Sequence, residues 1–230
     1  NAKSELETTI TLSIEDLPTT LARSKDFQAQ GFRALKIKCG LNVDDDVDRV
    51  RQVRQTVGSS MRLTLDANQG YSAAESLRML EAVKDCRIDF IEQPVAATDL
   101  EALREICRRS PIPVMADESV LSAADVLNTP APLVNLKLMK TGGITGALKA
   151  NAVAEARGIR AMVGCMDESR ISMAAAAHFA LAMNNIVYGD LDGHIDVVDD
   201  AAGQGILIEN GFVRTNDRAG LGLVLENTID

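Results

Sequence analysis

Residues 62–70 read RLTLDANQG, and the fold follows from how this stretch is read. With a side-chain period of two, Arg62, Thr64, Asp66 and Asn68 share one face of a strand, and Leu63, Leu65 and Ala67 the other. An acid and an amide at the C-terminal end of a buried strand are costly unless something pairs with them. The design recurs twice: IDFIEQP (88–94) ends in Glu92, and PVMADES (113–119) ends in Asp117. Three successive strands, each delivering a carboxylate at its C-terminal end, imply a hard divalent cation.

Outward from these strands the chain alternates regularly. TTITLSI (8–14) and RALKIK (33–38) read as two earlier strands; LVNLK (133–137), Arg160–Val163 and Asn185–Asp190 read as three later ones. Helices fall between them. One opens at Pro18 and stops at Gly31; another is capped by Asn42, buries Val43, Val47, Val50, Val53 and Val57, and places Asp44, Asp45 and Asp46 in a solvated first turn. Ser72–Glu75 and Thr98–Glu101 read as capping boxes, and Ser122 as the cap of a shorter helix. KTGG leads into a helix to about Arg157, and an Ala-rich helix lies near Ser169–Met183. From Lys38 onward the strand ends fall 20 to 28 residues apart, one βα unit each. Eight strands alternating with helices predict a parallel α/β barrel over a single domain, residues 1–230, with a tail of short strands from about 194 to 230. The competing reading, an open doubly wound sheet, is disfavoured by polar residues at nearly every strand end and by the lack of GxGxxG.

Composition narrows the class. With 46% hydrophobic and 3% aromatic residues and no Trp, the core must be aliphatic. A formal charge of −9 without a basic stripe argues against nucleic acid, and no apolar run approaches a membrane span. Cys39, Cys86, Cys107 and Cys165 lie far apart, so a disulfide framework or zinc site is not expected and a reducing cytoplasm is the default. Cys39 and Cys165 lack a base partner and read as packing residues.

The strand ends then define a chemistry. Lys36 and Lys38 share one face of their strand, as do Asn135 and Lys137 of theirs. In a closed eight-stranded barrel these two strands stand opposite each other, with Asp66, Glu92 and Asp117 between them. One ion on three carboxylates, with no His or Cys, favours Mg²⁺ over zinc. Such an ion, holding a substrate carboxylate, stabilises the enediolate formed when the neighbouring carbon loses a proton. A lysine whose pKa is lowered by burial and nearby cations is a competent base. Lys140, one residue off the face of Lys137, reads as a solvated loop residue.

KIK, the strand ends LDANQG, IEQP and ADES, and NLKLMKTGG together resemble the enolase superfamily, specifically its muconate-lactonizing subgroup. The resemblance implies a modified TIM barrel of the (β/α)7β type. It makes Lys38 and Lys137 the acid/base pair, Asp66, Glu92 and Asp117 the Mg²⁺ ligands, and Lys36 the group that polarises a bound carboxylate. Asn68 and Glu118 fall where supporting partners lie, and GCMDES places Glu168, as a substrate-binding residue, after the seventh strand. His178 in the Ala-rich helix reads as structural, and His194 lies past the eighth strand.

Asp190-Leu191-Asp192 resembles the DxD motif of dipeptide epimerases, in which two acids bind a free α-ammonium. That resemblance implies inversion of the C-terminal residue of a dipeptide. An N-acylamino-acid racemase, an o-succinylbenzoate synthase and a muconate-type cycloisomerase use the same lysines and remain alternatives, as does a capless barrel that binds metal without turnover. The resemblance also implies an additional capping domain, mostly N-terminal to the barrel, which is expected in the full-length protein and not within residues 1–230. An uncovered mouth would favour homo-oligomers.

Overall fold

Leu35 and Ile37 are fully buried, and so are Leu63 and Leu65 one strand over, yet they alternate with Lys36 and Lys38 on the first strand and with Arg62, Thr64 and Asp66 on the second. That alternation sorts the strands into a ring with an aliphatic outside and a polar upper interior. The computed structural model describes residues 2–225. A two-residue strand, β1 (Leu6–Glu7), precedes eight parallel strands, each paired with the next: β2 (Thr9–Leu12), β3 (Ala34–Lys38), β4 (Arg62–Asp66), β5 (Ile88–Glu92), β6 (Val114–Ala116), β7 (Leu133–Asn135), β8 (Arg160–Val163) and β9 (Ile186–Gly189). A bridge between Thr8 and Gly189 closes the ring. Seven helical connections pack outside it: α1 (Leu17–Ala29), α2 (Val43–Val57), α3 (Ala73–Ala82), α4 (Leu100–Arg109), α5 (Ala123–Asn128), the pair α6 (Leu138–Thr141) and α7 (Ile144–Ala156), and α8 (Arg170–Ala182). The (β/α)7β barrel is therefore present.

Two apolar cores result. The larger joins outward strand residues to the helices; the smaller, Phe90, Met115, Leu133 and Met162 with Tyr188 against them, fills the lower barrel. Beneath it Arg62 donates to Glu7 at 2.8 Å and Asp89 at 2.7 Å, with its guanidinium 5.2 Å from the Tyr188 ring centre. The bottom is thus closed, and only the upper end is left for chemistry.

Several local expectations shift. The first strand, expected over 8–14, is shorter: Thr9–Leu12 joins the barrel, and Leu6–Glu7, ahead of the expected strand, pairs with the tail. Ser72–Glu75 forms its capping box, but α4 is capped by Asp99, which accepts from the Ala102 N–H at 2.9 Å, in place of Thr98–Glu101. Ser122 sits at the cap position of α5 but donates to Asp125 (2.8 Å) without accepting from a helix N–H. Asp44 and Asp45 are exposed, while Asp46 is buried, because position 46 falls three and four residues from Val43 and Val50 on the stripe that faces the barrel. The tail forms β10 (Ala202–Gln204), β11 (Ile206–Glu209), β12 (Phe212–Thr215) and β13 (Leu223–Leu225). Its central hairpin turns on Asn210-Gly211, both at positive φ (52° and 78°), as a two-residue hairpin loop requires. Residues 226–230 of the expected tail lie outside the described residues. Among the described residues no helix is long and apolar enough to cross a membrane.

Candidate active site

Strand alternation sends Lys36, Asp66, Glu92, Asp117, Asn135, Lys137 and Asp190 into the upper barrel, all of them buried. Lys38 is the more open lysine: its Nζ donates to Asp66 Oδ2 (2.8 Å) and Asn68 Oδ1 (2.7 Å). Lys36 Nζ pairs with Asp190 and stands 3.4 Å from Asp66 Oδ2 and 3.9 Å from Glu92 Oε2. Across the ring, Lys137 Nζ donates to Asp117 Oδ2 at 2.6 Å. β3 and β7 are four strands apart in a ring of eight, so Lys38 and Lys137 approach from opposite walls. Above them opens a cavity of about 560 Å³, lined in part by Lys38, Asn68, Lys137, Cys165, Asp190 and Asp192.

Asn68 and Glu118, expected as supporting residues, contact each other, and Asn68 also contacts Asp66. Asn68 Nδ2 donates to Glu118 Oε1 at 3.2 Å, and the Asn68 N–H donates to Asp66 Oδ1 at 3.1 Å. Asn68, Gln69 and Gln93 hold positive φ values of 42°, 69° and 33°, so the loops carrying these contacts store backbone strain beside the charged groups. Glu168 is placed differently: its carboxylate accepts from the Met166 N–H (2.9 Å) and the Ser172 hydroxyl, turned back on its own loop. Neither His178 nor His194 lines the cavity. Cys39 and Cys165 are buried, and burial pushes both thiols up, in keeping with packing roles.

Lys140 corrects the reading of a solvated loop residue. Its ammonium is buried on Asp117, pairing with Oδ1 and donating to the Asp117 and Asn135 carbonyls at 2.6 and 3.1 Å. The strand ends at Asn135, and α6 follows at once with Lys137 as its cap. Residues three apart on a helical turn share a side, so Lys140 reaches the same acid as Lys137. The sequence assigns no role to two amides, Asn135 on the face of Lys137 and Gln93. Asn135 donates to Glu92 Oε1 (2.6 Å) and accepts from the Gly164 N–H (2.9 Å). Gln93, fully buried, accepts from the N–H groups of Asp117 (2.9 Å) and Ser119 (3.2 Å) and so fixes the end of β6. The only signal for Gln93 was its place in IEQP.

The lysine pKa values also run against expectation. Burial alone would lower Lys36 and Lys137, but Asp190, Glu92 and Asp66 around the first, and Asp117 and Glu92 around the second, raise both. The carboxylates, not other cations, are each ammonium's nearest charges. Lys140 is lowered by burial. Asp117, which burial would raise, is brought below its ordinary value by Lys140 and Lys137, while burial and the charge of Asp66 push Glu92 well above its own.

Among the described residues no three His, Cys, Asp or Glu side chains are gathered closely enough to form a ready-made metal cluster. The donor set nevertheless fits a hard cation. Asp66 and Glu92 end β4 and β5, Asp117 directly follows β6, and Glu92 Oε2 is buried with no hydrogen-bond partner. Asp190 and Asp192 sit together at the end of β9 but are differently engaged. Asp190 takes Lys36 and the Thr9 hydroxyl (2.6 Å), whereas Asp192 accepts from the Thr11 N–H (2.9 Å).

A closed parallel barrel with paired lysines on opposite walls and three strand-end carboxylates between them is the frame of the enolase superfamily's barrel domain. The chain belongs to the enolase C-terminal domain-like family, which matches residues 20–229. It is similar to the L-Lys-D/L-Arg epimerase of Methylococcus capsulatus, at 40% identity over 228 residues, covering 97% of this chain and 64% of that protein. Among solved structures, the substrate-liganded L-Ala-D/L-Glu epimerase from Bacillus subtilis superposes with a TM-score of 0.93 at 37% identity, covering 97% of this chain and 64% of the other. A dipeptide epimerase from Enterococcus faecalis, complexed with Mg and L-Leu-L-Tyr, gives 0.94 at 35% identity, covering 97% and 65%. The chain therefore spans a little under two thirds of these relatives' length.

Proposed function

We propose that this barrel is the catalytic part of a Mg²⁺-dependent dipeptide epimerase, which inverts the α-carbon of the dipeptide's C-terminal residue. The observation that carries the reading is the placement of Lys38 and Lys137 on opposite walls above one set of carboxylates. Relatives named for dipeptide epimerisation support the substrate class.

Asp66, Glu92 and Asp117 would hold the ion. When bound, Mg²⁺ supplies the positive charge that neutralises the substrate carboxylate as the α-carbon loses its proton. Asp117 and Glu92 now raise Lys137; with their charge shared by a bound cation they would do so less, and Lys137 would more readily reach the neutral amine that a base requires. Lys38 and Lys137 then remove and return the proton on opposite faces, and Lys36 neutralises the substrate carboxylate from below. Asp192 is the acid we assign to the substrate ammonium, with Asp190, already paired to Lys36, as its neighbour. Activity belongs to the barrel together with a capping segment that closes its mouth. N-acylated substrates would leave Asp192 facing no cation, which disfavours the racemase alternative.

The test is α-deuterium incorporation in D₂O from each epimer of a dipeptide, by wild type and by Lys38→Ala and Lys137→Ala. Each variant should lose epimerisation and keep exchange from one epimer only. Normal epimerisation by Lys137→Ala would overturn the assignment.

A further inference from the structure

Asp46 is 1% exposed, lies outside the cavity lining, and has no part in the chemistry above. Its partners come from three places. Oδ1 takes the Arg49 guanidinium, one turn along α2. Oδ2 accepts from the Gly40 N–H at 3.0 Å and from the Tyr71 hydroxyl at 2.6 Å. Gly40 is two residues past Lys38, and Tyr71 three past Asn68, so one carboxylate oxygen joins the loop after β3 to the loop after β4.

The two loops are pressed together at backbone level. The Cys39 N–H donates to the Asp66 carbonyl at 2.9 Å. A Cβ on Gly40, whose φ is +108°, would lie 2.3 Å from the Ala67 carbonyl oxygen, and one on Gly70 would lie 2.1 Å from that of Gly40. Burial pushes the Tyr71 phenol above its ordinary value, which keeps it a donor to Asp46. A buried ion pair such as Asp46–Arg49 is weak evidence for stability, since apolar residues of like volume often serve as well. What an apolar pair cannot do is hold the Gly40 N–H and the Tyr71 hydroxyl at one point.

We infer that Asp46 is a positioning residue for Lys38: it fixes the loop after β3 against the loop after β4 and thereby holds the Lys38 ammonium between Asp66 and Asn68. The inference rests on the proposal that Lys38 and Lys137 serve opposite faces, and that gives it an asymmetric signature. Loss of Asp46 disturbs the Lys38 wall and leaves the Lys137 wall, built on β7 and α6, as it was.

The experiment measures α-deuterium exchange from each epimer for Asp46→Asn and Tyr71→Phe, in the longest natural polypeptide that carries the barrel. Lys38→Ala identifies the epimer served by Lys38. Asp46→Asn should slow exchange from that epimer by about tenfold or more, because small misplacements of a reacting group are costly, and change the other by less than about twofold. Tyr71→Phe should show a smaller loss on the same side, and it decides the matter if Asp46→Asn does not fold. Two readouts need no turnover: amide exchange at Gly40 should rise while the β8 amides hold, and acylation of Lys38 relative to exposed Lys25 should increase. Equal slowing of both epimers by a folded variant, or unchanged Gly40 exchange and Lys38 labelling, would overturn the inference. Absence of exchange in wild type would count against the proposed function alone, and the amide and labelling measurements would still judge Asp46.

Discussion

Glu92 accepts one hydrogen bond, from Asn135, and its second oxygen, 3.9 Å from the Lys36 ammonium, has no hydrogen-bond partner. Burial first, and then the charge of Asp66, push its pKa well above the ordinary value of 4.5. The sign of the consequence is fixed: a group raised in the folded state contributes stability that is fully present below its unfolded pKa and lost as pH rises through the folded value. At neutral pH without divalent cations, an ionised Glu92 therefore works against the fold. Glu92→Gln keeps the shape and the bond from Asn135 while removing that charge. In EDTA at pH 7 it should raise Tm by a few degrees, on the order expected for about 1 kcal/mol in a chain of this size, and flatten the pH dependence of stability above 4.5. Mg²⁺ should raise Tm of the wild type through binding to the native state and leave the variant where it was. A variant no more stable than wild type in EDTA would mean that Glu92 is satisfied by a contact not described above.

At the scale of elements, legibility depended on how long a single period persisted. The strands were readable because barrel strands face two different environments, and RLTLD or ALKIK satisfies both by alternation. Asp66, Glu92, Asp117, Lys36 and Lys137 came with them. Lys140 was misread because the period changes from 2 to 3.6 within three residues, at a helix of four residues that composition does not announce. Asp46 was misread because three consecutive acids look like one solvated cluster, although position 46 falls on the buried stripe with Val43, Val50 and Val53. Gln93 and Asn135 act through amide contacts to strands distant in sequence, which no local pattern encodes. Glycines carry the same kind of information. A Cβ on Gly70 would lie 2.1 Å from the Gly40 carbonyl oxygen, so Gly70→Ala must force the two loops apart. It should lower stability by about 1–3 kcal/mol through overpacking and disturb the Lys38 face selectively, as a denaturation midpoint and epimer-resolved exchange would show. A silent Gly70→Ala would mean that these loops are not in contact in solution.

The whole molecule is asymmetric about the barrel axis. Its lower end is sealed by Arg62, Glu7, Asp89 and Tyr188, with the N-terminal strand paired into the tail hairpin. Its upper end carries exposed apolar side chains in the loops after β3, β6, β7, β8 and β9: Leu41 (79% exposed), Leu121, Met139, Met166 (59%) and Ile195. Of these, Met139, Met166 and Ile195 line the charged cavity itself, and exposed apolar groups at such a mouth suit a face that is covered. Left open, it also weakens the chemistry proposed for it. Water screens the charges that stabilise the transition state, and contacts that would orient the α-carbon are missing. The isolated chain should therefore fold and bind Mg²⁺, yet turn over dipeptides slowly and with little choice among side chains. It should also self-associate through the mouth. Sedimentation should reveal concentration-dependent association that Leu41→Ser with Met166→Ser reduces, whereas Leu127→Ser on the outer helix α5 does not. Joining a capping segment in cis should suppress the association and restore selective turnover together, because one surface governs both. Full, selective turnover by the bare barrel would place specificity in its own strand-end loops.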